Sequence, residues 1–265
     1  MGKFNSSIHR VRPLMDVIKN DFQAYKSFLE LIHIEGVGIP QSYWYDGSDC
    51  KEKQLKPSKQ HLIKLIEYFS EKDFGNIEIK NKKRKQLCCS NPKNANSRIE
   101  AKMEAIEELE KSYDSMKASG KLWYVFEGFT NPDIFIEGED YVIVCEGKWT
   151  EPHITTHTTN LKSKEEYRNQ MIRHIQGALN YTDKKVYAFY IVDEDCGYLD
   201  QLNKEMFMEH ISRETIKIEE SEKEKILNAY KGYVTWQKIE TVFTNIKFKT
   251  KEEILSNGLS KIKEE

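Results

Sequence analysis

Residues 131–149 read NPDIFIEGEDYVIVCEGKW, and the fold turns on this stretch. Two short β-branched and aromatic runs, Ile134–Ile136 and Tyr141–Val144, flank Glu137–Asp140, which contains Gly138; the pattern predicts a β-hairpin. Asp133 lies where the hairpin begins and Glu146 where it ends, with Lys148 two residues beyond. Side chains alternate faces along a strand, so Glu146 and Lys148 share a side. A two-residue turn at Glu139–Asp140 pairs Asp133 directly with Glu146, and one at Gly138–Glu139 makes them diagonal neighbours. Either register leaves the carboxylates roughly 5–8 Å apart. A loop of odd length puts them on opposite faces unless a bulge restores the register.

Two carboxylates in contact repel by about 4 kcal/mol at an effective dielectric of about 20. A raised pKa, a bound cation or the nearby lysine must offset that repulsion. A hard divalent cation with oxygen ligands does so most economically. The plainer reading of the same residues is a hairpin with charged ends and a Glu–Lys surface pair.

Pro132-Asp133, followed after a hydrophobic strand by Glu146-Gly147-Lys148, resembles the motif of the PD-(D/E)xK, or restriction-endonuclease-like, nuclease superfamily. The resemblance runs from about Glu100 to Asp193. Its motif is short and degenerate, and the order of the elements around it carries the rest. It implies an α/β fold: a central mixed β-sheet with an α-βββ-α-β core, flanked by helical N- and C-terminal regions. The chain then divides into 1–75, 76–200 and 201–265. The resemblance further implies a metal-dependent nuclease hydrolysing phosphodiester bonds, with DNA the default substrate and RNA the other one. Asp133, Glu146 and the Gly147 carbonyl would hold Mg²⁺, or Mn²⁺ in its place, and Lys148 would orient the attacking water. Cutting both strands would favour a homodimer. From another class comes a catalytically silent module with the same fold, binding nucleic acid or a protein partner.

The whole chain sets bounds on these readings. At 265 residues with 38% hydrophobic and 32% charged residues, it is long enough for a sizeable core and too polar to be membrane-embedded. No apolar run reaches the length of a membrane helix, and MGKFNSSIHR offers no hydrophobic leader, so a cytoplasmic location is expected. The formal net charge is −2, so any nucleic-acid contact must come from a local basic patch rather than a global field. The five cysteines are irregularly spaced and lack a zinc pattern, which suits a reducing compartment.

Taken in order, residues 11–34 carry a broad apolar stripe and predict a helix. A Gly/Pro/Ser-rich loop follows, whose Tyr43-Trp44-Tyr45 either packs on the body or stacks on bases. Ser58 is placed to cap a helix over 59–71. Lys82, Lys83, Arg84 and Lys85 form the strongest basic run, suited to phosphates or to a solvated sheet edge. A helix is expected over 97–119, with Ser97 and Glu100 as a capping box. In the resembling nucleases this helix often bears a further acid, and Glu104 is the candidate here. LWYVFEGF, 122–129, predicts a strand ending at Glu127, either a further group at the cation or a surface glutamate. His153 and His157 fall in a polar, threonine-rich loop. On the next helix, 163–181, Gln170 and His174 are four apart on one flank of the apolar stripe. They match the position at which the resembling nucleases face the metal, and a satisfied boundary histidine is the alternative. Arg168 falls on the apolar side, where it must meet an acid or a phosphate. VYAFYIVDED, 186–195, is apolar without alternation, as in a strand covered on both faces. The remainder is charged and mostly helical, with YVTWQKIETVF an extra strand or a packing segment.

Overall fold

The computed structural model describes residues 5–71, 95–115, 127–157 and 166–262. Five strands form one mixed sheet in the order β1-β2-β3-β4-β5. They are β1 (Ser42–Tyr45), β2 (Ile134–Glu137), β3 (Tyr141–Gly147), β4 (Lys185–Val192) and β5 (Tyr230–Thr235). β1, β2 and β3 run antiparallel in sequence, and β3, β4 and β5 run parallel. The helices are α1 (Arg12–Asn20), α2 (Phe22–Leu31), α3 (Lys59–Glu71), α4 (Ala95–Ser112), α5 (Gln170–Tyr181), α6 (Lys204–Arg213), α7 (Glu220–Ala229), α8 (Trp236–Val242) and α9 (Lys251–Ile262). A π-helical turn, Ser7–Val11, precedes α1.

The expected hairpin is β2–β3, and its register is the first of the two considered. Gly138 N–H donates to the Tyr141 carbonyl at 2.9 Å, enclosing Glu139 and Asp140, and Ile134 lies opposite Cys145. One step further along, Asp133 lies opposite Glu146. Every residue of β3 is buried, as are seven of the eight in β4, because helices cover both faces. Ile134, Ile136, Ile143, Cys145, Phe189 and Ile191 pack beneath α1, α2 and α8. Phe135, Val142, Val144, Ala188 and Tyr190 pack beneath α5, α6 and α7. α4 and α3 pair in a satellite cluster built on Leu62, Ile66, Phe69, Ala105 and Leu109.

Several expectations are revised. The N-terminal region is not purely helical, since residues 1–75 supply β1; in 201–265, β5 takes up the start of YVTWQKIETVF as the extra strand, so both regions share the sheet with 76–200. β1 is the Tyr43-Trp44-Tyr45 segment read as loop; its β-forming side chains outweigh the Gly/Pro flanks once β2 offers a partner. The helix expected over 11–34 breaks at Asp21, which turns extended (φ −136°, ψ 110°) and caps α2 by accepting from Gln23 and Ala24 N–H. α4 begins by Ala95, so Ser97 lies inside it and is not its cap. The strand expected over 122–129 and the basic run Lys82, Lys83, Arg84 and Lys85 lie largely or wholly outside the described residues.

The tight hairpin turn is testable. A Cβ on Gly138 would lie 2.0 Å from Tyr141 Cε1. That ring cannot swing away freely, because its hydroxyl meets the Gly38 carbonyl at 2.9 Å and the Tyr25 hydroxyl at 2.7 Å. Gly138→Ala should therefore cost about 1–3 kcal/mol in urea unfolding. Wild-type stability in that variant would contradict the locked ring.

Candidate active site

Asp133, Glu146 and Lys148 lie at the C-terminal end of β3 and are only 8%, 4% and 7% exposed. Glu146 turns toward α5, where three donors meet it. Lys148 Nζ lies 2.9 Å from its Oε1, Gln170 Nε2 donates to the same oxygen at 2.7 Å, and His174 Nε2 lies 2.9 Å from Oε2. Gln170 also accepts from Lys148 Nζ at 2.9 Å, so one side-chain amide spans both members of the ion pair. The remaining ring nitrogen of His174, Nδ1, lies 2.6 Å from Thr130 Oγ1. The tautomer that satisfies both contacts is protonated on Nε2, donating to Glu146 and accepting from Thr130.

Burial alone would push the Glu146 carboxyl up, but Lys148 and His174 outweigh it and hold the group at about 2. Burial pulls the Lys148 ammonium down, and Glu146 more than reverses it. Burial also lowers His174, which keeps the imidazole neutral near pH 7. Asp133 is different. Burial, and then the charge of Glu146, push it well above the usual carboxylate range. Ser7 Oγ donates to its Oδ1 at 2.6 Å and Gly147 N–H to its Oδ2 at 2.8 Å, which draws it partly back.

The helix bearing Gln170 and His174 starts later than the sequence suggests. Asn169 is its cap, accepting from Met171 and Ile172 N–H, and the preceding backbone is extended. Arg168 N–H instead donates to the Thr156 carbonyl at 2.8 Å, and the Arg168 side chain is committed elsewhere. It forms two bonds to Glu127, at 2.9 and 2.8 Å, and a third to Glu214 at 2.8 Å. His61 Nε2 occupies Glu127 Oε2 as well, at 2.8 Å. Burial pushes the Glu127 pKa up, but Arg168 and His61 outweigh it and hold it well below the ordinary value. Glu127 is thus engaged in a buried ion network and bonds neither to Lys148 nor to the groups around Glu146. Arg168 meets acids there rather than a phosphate. Glu104 is exposed on α4, whose buried face packs on α3. His153 and His157 lie in a non-helical loop. From the described part of that loop, Thr155 reaches the site, accepting from Lys148 Nζ at 3.5 Å.

Two contributors escape sequence reading. Ser7 is 126 positions from the aspartate it bonds. Glu52 arrives through a break in strand pairing. Tyr45 lies opposite Ile134 and Leu55 opposite Thr130, so the segment between Tyr45 and Leu55 is longer than the one it faces and must bulge. The bulge walls an open cavity of about 1060 Å³ whose lining includes Ser7, Tyr43, Trp44, Lys51, Glu52 and Asn131. Burial and then the charge of Glu146 push the Glu52 carboxyl up to about 7, so it stands within electrostatic reach of the pair.

Among the described residues, no group of three or more His, Cys, Asp or Glu side chains is arranged to hold a metal ion. Mg²⁺ keeps several waters and takes only one or two carboxylates, and Asp133 and Glu146 are the side chains here that could hold one. The described fold and site define an α/β protein with two buried carboxylates and a buried lysine at the end of a mixed sheet. In comparison with known proteins, no family model, no curated protein and no solved structure matches this chain.

Removing the Glu146 charge should expose the cost of an unpaired Lys148. Glu146→Gln is expected to lose about 3–5 kcal/mol at neutral pH. The Glu146 pKa of about 2 lies below its ordinary 4.5, so the pairing stabilises fully above pH 4.5 and is lost as pH falls toward 2. Urea titrations should show the gap between wild type and variant narrowing across that window. A gap independent of pH would contradict the pairing.

Proposed function

We propose that this protein is a metal-dependent phosphodiesterase of the PD-(D/E)xK type acting on nucleic acid, DNA in the first instance. The observation that carries the reading is Gln170, which bridges Glu146 and Lys148, with the buried Asp133 accepting from the N–H of the Gly147 between them. A surface Glu–Lys pair would be solvated; this one is buried and braced by α5. The succession α4, β2, β3, α5, β4 further supports the restriction-endonuclease-like arrangement; most of residues 122–129, where its first strand is expected, lies outside the described residues.

Asp133 and Glu146 would hold Mg²⁺, or Mn²⁺ in its place. When bound, the cation supplies Lewis acidity and a coordinated water of lowered pKa. Its charge would oppose the burial and the Glu146 charge that raise Asp133, favouring the carboxylate form there. Lys148 would then orient the attacking water and stabilise negative charge developing on the phosphate. Gln170 keeps the ammonium and the Glu146 carboxylate at a fixed spacing, and neutral His174 holds the far oxygen of Glu146. Substrate would approach through the cavity beside Ser7 and Glu52, where Lys51 and Asn131 offer donors to phosphate oxygens.

Incubation with supercoiled and linear DNA tests this directly. Cleavage is expected with Mg²⁺ and not with EDTA. Asp133→Asn and Lys148→Ala should each lower the rate by about 100-fold or more while the protein stays folded. Wild-type protein that cuts neither substrate, or two variants that cut normally, would overturn the reading. DNA retention without metal binding or cleavage would point instead to the silent binding module.

A further inference from the structure

The N-terminal segment is tied to the motif residues at three successive points. Ser7 Oγ donates to Asp133 at 2.6 Å. Val11, fully buried, packs so closely on Gly147 that a Cβ there would lie 2.9 Å from its Cγ2. Between them, the Arg10 guanidinium stacks 4.0 Å over the Trp149 ring and 4.9 Å over Phe248, and donates to the Lys249 carbonyl at 3.0 Å. Gly147 and Trp149 flank Lys148 in the chain and Asp133 bonds Gly147 N–H, so the segment follows the end of the hairpin. The contacting turn is π-helical over Ser7–Val11 and becomes α-helical at Arg12. π-Turns inside helices are rare and are frequently found at functional sites.

We propose that Ser7 is a positioning residue of the candidate active site, its hydroxyl fixing the Asp133 carboxylate in the orientation that serves the cation. The inference rests on the metal-dependent reading above and gives the N-terminal region a role in it. A carboxylate held by one donor can still rotate about its terminal torsion. Here the two oxygens have different donors, the Gly147 N–H from the facing strand and the Ser7 hydroxyl from outside the sheet. Together they fix the plane of the group, leaving each oxygen with acceptor capacity for a further partner. Ser7 also lines the open cavity, and the aspartate it bonds comes two residues after Asn131, which lines it too. Partners of this kind, one bond removed from a metal, typically contribute 10- to 100-fold to affinity or rate.

The test compares wild type, Ser7→Ala and Ser7→Thr in the full chain, with Mn²⁺ binding measured by calorimetry, DNA cleavage kinetics and thermal melting. Ser7→Ala should weaken Mn²⁺ binding and lower kcat by about 10- to 100-fold, leaving KM for DNA and the melting temperature unchanged. Ser7→Thr, which keeps the hydroxyl, should recover most of both losses. Wild-type Mn²⁺ affinity and kcat in Ser7→Ala would overturn the proposal. So would a loss that follows a fall in melting temperature and is not recovered by threonine. Wild-type protein that binds no Mn²⁺ and cuts no DNA would overturn the nuclease reading along with it. A cleaving wild type beside a fully active Ser7→Ala would overturn the proposal alone.

Discussion

The Glu146 carboxylate sits where water is nearly absent, and much of the surrounding structure answers to that fact. Stripping an ionised carboxylate of water costs several kcal/mol unless donors replace it. Three do so here: Lys148, Gln170 and His174, at 2.9, 2.7 and 2.9 Å. Each donor imposes a requirement on the fold. Lys148 must lie two residues further along the same chain. Gln170 and His174 must be one turn apart on a helix packed over β3. His174 must be oriented by Thr130, whose backbone in turn exchanges both hydrogen bonds with Leu55. A single buried charge thus links the N-terminal region, the hairpin and α5.

A second ionic cluster makes that linkage rigid. Arg168 is clamped between Glu127 and Glu214, and Glu214 also accepts from Asn169 N–H at 2.7 Å. Asn169 caps α5, so the cluster fixes where the helix begins and therefore where Gln170 and His174 point. Burial raises Glu214 to about 7, while Arg168 opposes the rise. Buried ion networks contribute little net stability, and this one acts through geometry, by bonding the N–H of the helix cap. Glu127 and Arg168 accordingly belong to the scaffold of the candidate site.

Local pattern made parts of this arrangement legible in the sequence. The β2–β3 hairpin follows from β-branched runs around a glycine, but a two-residue turn left two registers open until the Gly138 to Tyr141 bond chose between them. β4 is an uninterrupted apolar run, and Gln170 and His174 share a helical flank by simple periodicity. What escaped is non-local. Tyr43-Trp44-Tyr45 is a strand only because β2 pairs with it, and Ser7 and Glu52 reach the site through tertiary packing. Glu127 could not be told from a metal-facing acid by its position, because its partners His61 and Arg168 lie 66 and 41 residues away. The late start of α5 is equally invisible, since the backbone before Asn169 is held by Thr156 and Thr215.

The central claim is that Asp133 and Glu146 converge to share one divalent cation beside Lys148. Anomalous diffraction from crystals soaked in Mn²⁺ tests it most directly. The account predicts one strong peak within ligating distance of both carboxylates, with the Lys148 ammonium adjacent and Gln170 still in contact with it. A peak elsewhere, or none at saturating Mn²⁺ with Glu146 still closed on Lys148, would contradict it.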